Sequence, residues 1–379
     1  MFELKWSRLF CLLGLLVGAI LLLAAARLSA AQEILVASDL LMAQETLASA
    51  PLIPPAVFAR AERDKKGRFV NSGTDLSHGS VSVRAGFFLR RFATAFRSGV
   101  GAPQRVANDG SLMRDYPAHR RPTVTWIGHA TVLVQMDNVT FLTDPIWSKR
   151  PSPVPIIGPS RFVKPGVAIK DLPPIDFVVI SHNHYDHLDL PTLRKLAKRS
   201  PEAVFFVPLG NADLLRRNGI KQVQELDWGE TAVYKDTTVH CLPTQHWSKR
   251  SLNDTRKSLW SAWAVTGTER RFYFAGDTGY FAGFKDIGDK LGPFDIVAMP
   301  IGAYEPNKMM KASHMNPEEA VQASVDLQAK QALAIHFGTF DLSDEPLAEP
   351  PLRFKQAAAN SALGNDNGWV LKIGESREF

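Results

Sequence analysis

Short apolar stretches alternate with polar and turn-forming segments from residue 121 onward, which is typical of a β-rich domain. Strands are predicted in "TVTWIG", "TVLVQMD", "VTFLTD", "DFVVIS", "AVFFVP", "TTVHCLP", "LWSAWAVTG", "RRFYFAGD", "FDIVAMPIG" and "QALAIHFG". Helices are predicted in "LPTLRKLAKRS", "NADLLRRNG" and "NPEEAVQASVDLQ", the last with Asn316 as its N-cap and Pro317 at its first position. We therefore expect two sheets covered by outer helices, in one domain of roughly 250 residues.

The N-terminus has a different pattern. Lys5 and Arg8 precede "LFCLLGLLVGAILLLAAA", an uncharged run of 18 residues, and the small residues of "RLSAAQE" follow it. This order is typical of a secretory signal peptide, and the run is also long enough for an uncleaved membrane anchor. Residues 1–31 are predicted to be one or the other, with a buried globular helix as a third interpretation. The signal-peptide and the anchor interpretations both predict an exported protein, located in the periplasm or associated with the cell envelope or membrane.

Residues 32–120 show no persistent strand pattern and are predicted to be an extension or linker ahead of the main domain, residues 121–379. Phe88, Phe92 and Phe96 recur at four-residue spacing among arginines, as in an amphipathic helix. Such a helix could lie in a membrane interface or simply pack on its own domain.

The charge balance argues against dedicated nucleic-acid binding. The chain has 44 basic and 38 acidic side chains, a net charge of +6, with no long run of one sign and no nucleic-acid motif. This small excess favours anionic surfaces or substrates only mildly.

The two cysteines, Cys11 and Cys241, cannot pair if the N-terminal segment is removed, so cysteine usage does not identify the compartment.

Candidate chemistry is concentrated in "SHNHYDHLDL" (181–190), where His182, His184, Asp186 and His187 directly follow an apolar strand. Residues two apart on an extended chain point the same way, so the first two histidines could bind one cation together. Asp186 and His187 would face a neighbouring position. The alternative is that these histidines are unrelated residues of a solvated loop. This interpretation is weaker, because imidazoles so close together would disfavour one another's protonation, and they would leave several polar groups without partners if they were buried.

Three further candidates occupy the same kind of position along the chain. His246, Asp277 and His336 each follow a predicted strand and precede a loop, where functional side chains are commonly carried. Singly, each would be an ordinary polar residue at the end of a strand. Together they complete a set of metal ligands.

The H-x-H-x-D-H motif and the later His, Asp and His resemble the metallo-β-lactamase superfamily. Within it, residues from about Arg121 to Thr339 are similar to the N-acylphosphatidylethanolamine-hydrolysing phospholipase D family. The similar blocks are "VTWIGHATVLVQMD", "FLTDPIWSKRPSP", "LPPIDFVVISHNHYDHLD", "LDWGE", "QHWSKR", "FYFAGDTGY", "GPFDIVAMPIGAYEP", "HMNPEEA" and "AIHFGTF". The resemblance implies an α/β fold, an αββα four-layer sandwich, in which residues 121–379 form the catalytic domain.

The resemblance also implies two zinc ions, with iron or manganese as alternatives. The first would be held by His182, His184 and His246, and the second by Asp186, His187 and His336. Asp277 would bridge both and orient a shared hydroxide for attack on phosphorus. His314 would contact the phosphate or donate a proton, although a structural role at the helix entry is the alternative. His129 and Asp144 are expected to aim ligands or to form turns.

The implied activity is that of a phosphodiesterase of phospholipase D type. It would release N-acylethanolamine and phosphatidic acid from N-acyl-phosphatidylethanolamine or a related phospholipid, at a membrane surface. A hydrolase of a soluble phosphodiester or lactone, and a non-catalytic envelope scaffold, are the alternatives.

Two local features bear on the substrate. The tetrapeptide "WSKR" occurs at 147–150 and 247–250, and the second copy follows His246 directly, so Lys249 and Arg250 are expected near the mouth of the site. Solvated charge beside structural tryptophans is the alternative.

The second feature is a departure from the family pattern. Leu190 and Ser313 stand where the family is expected to have tyrosine and glutamine. The resemblance therefore supports the metal chemistry more strongly than it supports the head-group preference.

Overall fold

The computed structural model describes residues 58–73, 79–93, 99–154 and 158–379. The predicted signal or anchor segment, residues 1–31, lies outside these ranges. The side chains of Phe88, Phe92 and Phe96 also lie outside the described residues, although a helix does span Val81–Ala93. Within the described ranges, no helix combines the length and apolar character needed to cross a bilayer.

The strands form two seven-stranded sheets. In chain order they are β1 (Thr123–Gly128), β2 (Thr131–Met136), β3 (Val139–Thr143), β4 (Phe177–Val179), β5 (Val204–Pro208), β6 (Val223–Leu226), β7 (Thr231–Tyr234), β8 (Thr237–Leu242), β9 (Ala262–Thr266), β10 (Arg271–Phe274), β11 (Ile296–Pro300), β12 (Gln331–Ile335), β13 (Gly368–Trp369) and β14 (Ser376–Glu378). The first sheet has the order β14-β1-β2-β3-β4-β5-β6, and the second has the order β13-β12-β11-β10-β9-β8-β7.

The described residues also form helices, and several of them cover the outer faces of the two sheets. In chain order the helices are α1 (Val81–Ala93), α2 (Ser111–Arg114), α3 (Tyr116–His119), α4 (Leu190–Arg199), α5 (Ala212–Arg217), α6 (Gly283–Leu291), α7 (Asn307–Met310), α8 (Pro317–Asp326) and α9 (Glu349–Ala359), with a 3-10 turn at Ile169–Asp171. Buried residues of α4 and α5 pack on the first sheet, and those of α6, α8 and α9 belong to the core of the second. The predicted αββα four-layer sandwich is therefore confirmed.

Strand β4 and the residue after it show how the apolar pattern builds these layers. Phe177 and Val179 face the core between the two sheets, whereas Val178 and Ile180 face the outer core beside Leu193 of α4. Successive side chains of a strand point to opposite faces, so a strand buried on both sides must be apolar throughout. This explains why "DFVVI" shows no alternation with polar residues.

Residues ahead of the predicted start at 121 also contribute to this core. Phe58 and Phe69 are buried in the apolar cluster that contains the second sheet and its helices, and Arg105 forms a parallel β-bridge with Ile373. The described residues from 58 onward belong to one compact unit. These contacts come from isolated side chains and single bridges, which leave no repeating pattern in the sequence.

Helix α8 begins at the predicted N-cap, Asn316, which forms a capping box with Glu319. Asn316 accepts a hydrogen bond from the backbone N–H of Glu319 at 2.8 Å, and the Glu319 carboxylate accepts one from the Asn316 N–H at 3.2 Å. These two bonds satisfy amide groups that the first turn of a helix leaves without partners.

Replacing the cap tests its contribution to stability. Asn316→Ala should lower the free energy of unfolding by about 1 kcal/mol, because one amide of the first turn loses its acceptor. Chemical denaturation measures this change. Gln322→Ala, at an exposed position of the same helix, is the control and should change stability much less. Equal losses in the two variants would contradict a specific role for the cap.

Candidate metal centre

The loops that carry the predicted ligands meet at one edge of the sandwich. The structure brings all seven together: His182, His184, Asp186, His187, His246, Asp277 and His336. The first four follow β4 of the first sheet, and the others follow β8, β10 and β12 of the second. An isolated β-bridge between Gln245 and Gly279 holds two of these loops side by side.

Three imidazole nitrogens form the first group. His182 Nε2 lies 2.8 Å from His184 Nδ1, and His246 Nε2 lies 3.3 Å from the same atom. Metal–nitrogen bonds are about 2.0–2.1 Å, so nitrogens that share one cation must lie about this close together. The three side chains therefore fit one divalent cation.

Histidines and carboxylates form the second group. His187 Nε2 lies 3.3 Å from Asp186 Oδ2 and 3.1 Å from Asp277 Oδ2. His336 Nε2 lies 3.6 Å from that Asp186 oxygen and 3.0 Å from Asp277 Oδ1. Asp277 Oδ2 is also only 3.9 Å from His246 Nε2 of the first group. The Asp277 carboxylate thus faces both groups, as a bridging ligand must.

Hydrogen bonds aim the ligating nitrogens of the histidines. His246 Nδ1 donates to the Ser313 carbonyl oxygen at 3.0 Å, and His187 Nδ1 donates to Asp144 Oδ2 at 2.6 Å. A ring that donates from Nδ1 keeps its Nε2 lone pair free for a cation, and its orientation is fixed. Asp144 therefore lies where a ligand-aiming residue is expected.

Ser181 extends this network to His182. The Ser181 hydroxyl donates to Asp144, and its N–H donates to Asp144 Oδ1 at 2.7 Å. Because that hydroxyl proton is already used, the Ser181 oxygen accepts from His182 Nδ1 at 2.9 Å. This leaves His182 Nε2 as the ligating atom. Asp144 thus orients two histidines, and it holds a left-handed backbone conformation, φ +33°, in order to do so.

His129 lies against the second group. Its Nε2 is 3.1 Å from Asp186 Oδ2, and its ring centroid is 4.2 Å from that of His336. Burial lowers the pKa of His129 to about 3, so the ring is neutral and donates to the Asp186 carboxylate. This contact matches the ligand-aiming role expected from the sequence.

Burial is the main cause of the charge state of the first group. It lowers the pKa of His184 to about 4 and holds the pKa of His182 and of His246 well below the ordinary value, with neighbouring histidines adding to the effect at His182. The three rings are therefore neutral near pH 7, which is the form that binds a cation.

The second group shows the opposite behaviour. Burial opposes the change, yet nearby carboxylates, Asp277 above all, raise the pKa of His336 to about 9 and that of His187 well above its usual value. The same contacts hold the pKa of Asp277 and of Asp186 well below the ordinary range, although burial acts against this. Without a metal, protons supply the positive charge that these carboxylates require.

His314 lies beside both groups. Its Nδ1 is buried without a hydrogen-bond partner in the described part of the chain, 4.0 Å from Asp277 Oδ2. Burial lowers the pKa of His314 to about 4, so the ring is uncharged at neutral pH. A neutral ring can contact a phosphate oxygen through an N–H more readily than it can deliver a proton.

A cavity of about 740 Å³ opens onto these groups, and its wall has both cationic and apolar parts. The cationic side chains are Arg68, Arg84, Lys249 and Arg256, and the larger apolar ones are Phe87, Trp247, Met309, Met310 and Leu342. His184, Asp186, Asp277, His314 and His336 also line it. An anionic group at the metal site would therefore have apolar surface beside it.

The two substitutions relative to the family pattern lie in different surroundings. Leu190 begins α4 and packs against the outer core of the first sheet, and it does not line the cavity. Ser313 does line the cavity, and its carbonyl aims His246. Of these two departures, only the one at Ser313 therefore borders the substrate space.

Sequence reasoning missed Asn71, which comes from the predicted extension. Its Oδ1 accepts from the backbone N–H of His246 at 3.1 Å and from Trp260 Nε1 at 2.9 Å. It thereby fixes the start of the loop that carries His246. No motif surrounds Asn71, so no sequence signal pointed to this contact.

Comparisons with known proteins also indicate a metal-dependent hydrolase. The family description "Beta-lactamase superfamily domain" matches residues 139–337. The N-acyl-phosphatidylethanolamine-hydrolyzing phospholipase D 1 of Caenorhabditis elegans is 45% identical over 243 residues, which are 61% of this chain and 68% of that protein. The mitochondrial N-acyl-phosphatidylethanolamine-hydrolyzing phospholipase D of Saccharomyces cerevisiae is 36% identical over 263 residues, 67% of this chain but only 55% of that protein.

Among solved structures, an isothiocyanate hydrolase from Delia radicum gut bacteria superposes with a TM-score of 0.54 at 21% identity, covering 68% of this chain and 99% of that one. This likeness concerns the fold alone. Together with the sequence matches and the clustered His and Asp side chains, it shows that the chain belongs to the metallo-β-lactamase superfamily, as a metal-dependent hydrolase that resembles the N-acyl-phosphatidylethanolamine-hydrolysing phospholipases D.

Proposed function

We propose that the protein is a zinc-dependent phosphodiesterase of phospholipase D type that acts on N-acyl-phosphatidylethanolamine or a related phospholipid. One observation carries the proposal: the seven clustered ligands lie at a cavity whose wall is both cationic and apolar. A phosphodiester lipid is complementary to such a wall, because it joins an anionic group to long apolar chains. The names of the worm and yeast relatives support this substrate class.

The composition of the two groups supports a pair of zinc ions. Neutral imidazoles and carboxylates are common zinc ligands. The Asp277 carboxylate, 3.9 Å from His246 Nε2 and 3.0 Å from His336 Nε2, would be shared by the two ions. Such a pair, when bound, lowers the pKa of a water molecule and neutralises charge on a phosphate. Asp277 would orient the attacking water, and His314 would donate an N–H to the phosphodiester or to its leaving oxygen.

The outer surface near the cavity supports a membrane as partner. Leu252 is 90% exposed and lies on the loop between Lys249 and Arg256, both of which line the cavity. Val81 and Leu89 are 73% and 72% exposed on α1, the helix that supplies further cationic and apolar side chains to the wall. Exposed apolar residues among cations suit an anionic lipid surface. The N-terminal pattern leads us to propose that this surface belongs to the cell envelope.

A lipid panel with metal analysis on the same sample tests the proposed activity. The metal-loaded protein should hydrolyse N-acyl-phosphatidylethanolamine in mixed micelles, release phosphatidic acid, and contain two metal equivalents. Asp277→Asn keeps the shape of the side chain but removes its charge. This variant should bind less metal, and its activity should fall at least about 100-fold.

Other outcomes would distinguish the alternatives. Cleavage of a soluble phosphodiester or lactone without any cleavage of the lipid would contradict the lipid substrate. Full activity of Asp277→Asn, with clearly less than two metal equivalents in the wild type, would contradict the dinuclear site. Metal-loaded protein without any hydrolytic activity would favour a scaffold.

The charge state of the second group predicts how metal affinity depends on pH. Carboxylates raise the pKa of His336 to about 9, so in metal-free protein this ring is protonated at pH 7. A cation needs the neutral ring, and its binding must release the proton. Affinity should therefore rise as the pH increases towards about 9 and fall in acid. Calorimetric titration in buffers of different ionisation enthalpy measures both effects, and a pH-independent affinity without proton release would contradict the assignment.

The membrane surface can be tested with one matched pair of variants. Leu252→Ser should weaken binding to phosphatidylcholine–phosphatidylglycerol vesicles by about tenfold, because a leucine that enters the lipid is lost. Leu352→Ser, a leucine 70% exposed on α9 and not part of the cavity wall, is the control. Sedimentation with vesicles measures both. Equal binding by the two variants would exclude the Leu252 loop from the lipid contact.

A further inference from the structure

Arg250 holds the backbone of the turn that carries three of the seven predicted ligands. Its Nη1 donates to the carbonyl oxygen of Asn183 at 3.0 Å and to that of Leu188 at 2.8 Å. These acceptors are the two ends of one segment, residues 183–188, which we call the ligand turn. A single guanidinium nitrogen, with its two hydrogens, thus spans the turn from end to end.

The carbonyl oxygen and the guanidinium of Arg250 also contact Tyr185 of the same turn. The Tyr185 hydroxyl donates to the Arg250 carbonyl at 2.8 Å, and the Arg250 guanidinium carbon lies 4.0 Å from the centre of the Tyr185 ring. Within the turn, the N–H groups of His187 and Leu188 both donate to the His184 carbonyl, at 3.2 and 2.9 Å. The turn is therefore closed internally, and its backbone is bonded at both ends to Arg250, whereas Asp144 and His129 hold the side chains of His187 and Asp186.

The surroundings of this guanidinium favour a geometric role. Burial lowers the pKa of Arg250, although Tyr185 and the carboxylates of Asp189 and Asp254 act in the opposite direction, and among the described residues no salt bridge to its side chain is present. Its hydrogen-bond acceptors are neutral carbonyls, so ion pairing does not account for its position. Burying a charge without a paired carboxylate is unfavourable, whereas five rigid N–H donors are well suited to fixing a backbone. Arg250 also does not line the cavity, unlike its neighbour Lys249.

We propose that Arg250 is a positioning residue that sets the shape of the ligand turn and thereby the metal affinity of both ligand groups. His184 belongs to the first group, and Asp186 and His187 belong to the second, so a change in the turn affects both. The inference rests on the divalent-metal part of the proposed function and is independent of the lipid substrate.

Arg161 provides a matched control. It too is largely buried, and burial lowers its pKa to about 10. Its guanidinium donates to the carbonyls of Ile146 and Ser148, at 2.8 and 3.1 Å, and lies 4.6 Å from the centre of the Phe340 ring. Residues 146–148 carry none of the predicted ligands. Loss of a buried arginine can therefore be separated from loss of support for the ligand turn.

The experiment compares Arg250→Met, Arg250→Lys and Arg161→Met in the full chain loaded with zinc or cobalt. Arg250→Met keeps an apolar stem but has no donors, so it should release metal to a chelator at least about tenfold faster and alter the visible spectrum of bound cobalt. Arg250→Lys retains N–H donors and should fall between this variant and the wild type. Arg161→Met should lower the melting temperature yet keep the wild-type metal release and cobalt spectrum.

Specific outcomes would overturn the proposal. The proposal is wrong if both Arg250 variants release metal at the wild-type rate and show the wild-type cobalt spectrum. It is also wrong if Arg161→Met releases metal as fast as Arg250→Met. If Arg250→Met does not fold, Arg250→Lys decides by the same two readouts. Wild-type protein that holds no metal would contradict this inference and the proposed metal site together. Wild-type protein that holds metal but cleaves no lipid would contradict only the proposed substrate.

Discussion

The attraction between buried carboxylates and positive charge determines how the centre is built. Asp277 lies within 3.1 Å of His187 and His336 and 3.9 Å from His246, in a place almost closed to water. Carboxylates in such a place are strongly unfavourable unless a cation compensates them. Protonated histidines do so in metal-free protein, and divalent cations would do so more strongly. The surrounding hydrogen bonds serve to hold the ligands ready for that exchange.

The fold supplies this centre from both sheets. The ligand turn follows β4 of the first sheet, whereas His246, Asp277 and His336 follow strands of the second. Cations held between them would therefore connect the two sheets at one edge, so metal binding and stability of the sandwich should be coupled. The same edge carries the cavity, which places the apolar and cationic wall directly beside the ligands. Arg250 donates hydrogen bonds to the backbone of the ligand turn, and Asn71 accepts one from the backbone of His246.

Much of this could be predicted from the sequence, because its signals are local. The buried strands are continuous apolar runs and the ligands follow within a few residues, so two sheets covered by helices could be predicted together with the clustered side chains. The αββα order of the layers comes from the resemblance to the superfamily. Asn316 is the predicted N-cap, again because the signal is local, and the structure adds the reciprocal bond with Glu319 that makes it a capping box. By contrast, β6, β13 and β14 are edge or near-edge strands of two to four residues, too short to show a period. The contacts of Asn71 and of the Ser313 carbonyl join distant segments through single atoms, and a residue pattern contains no trace of them.

The most direct measurement is the anomalous diffraction of crystals of the metal-loaded protein, recorded at the absorption edge of the bound metal. Two peaks should appear, roughly 3.5 to 4 Å apart, with one beside His182, His184 and His246 and the other beside Asp186, His187 and His336. Asp277 should lie between them, within bonding distance of both. A single peak, or peaks away from these side chains in protein that is fully active, would contradict the assignment of the two ligand groups.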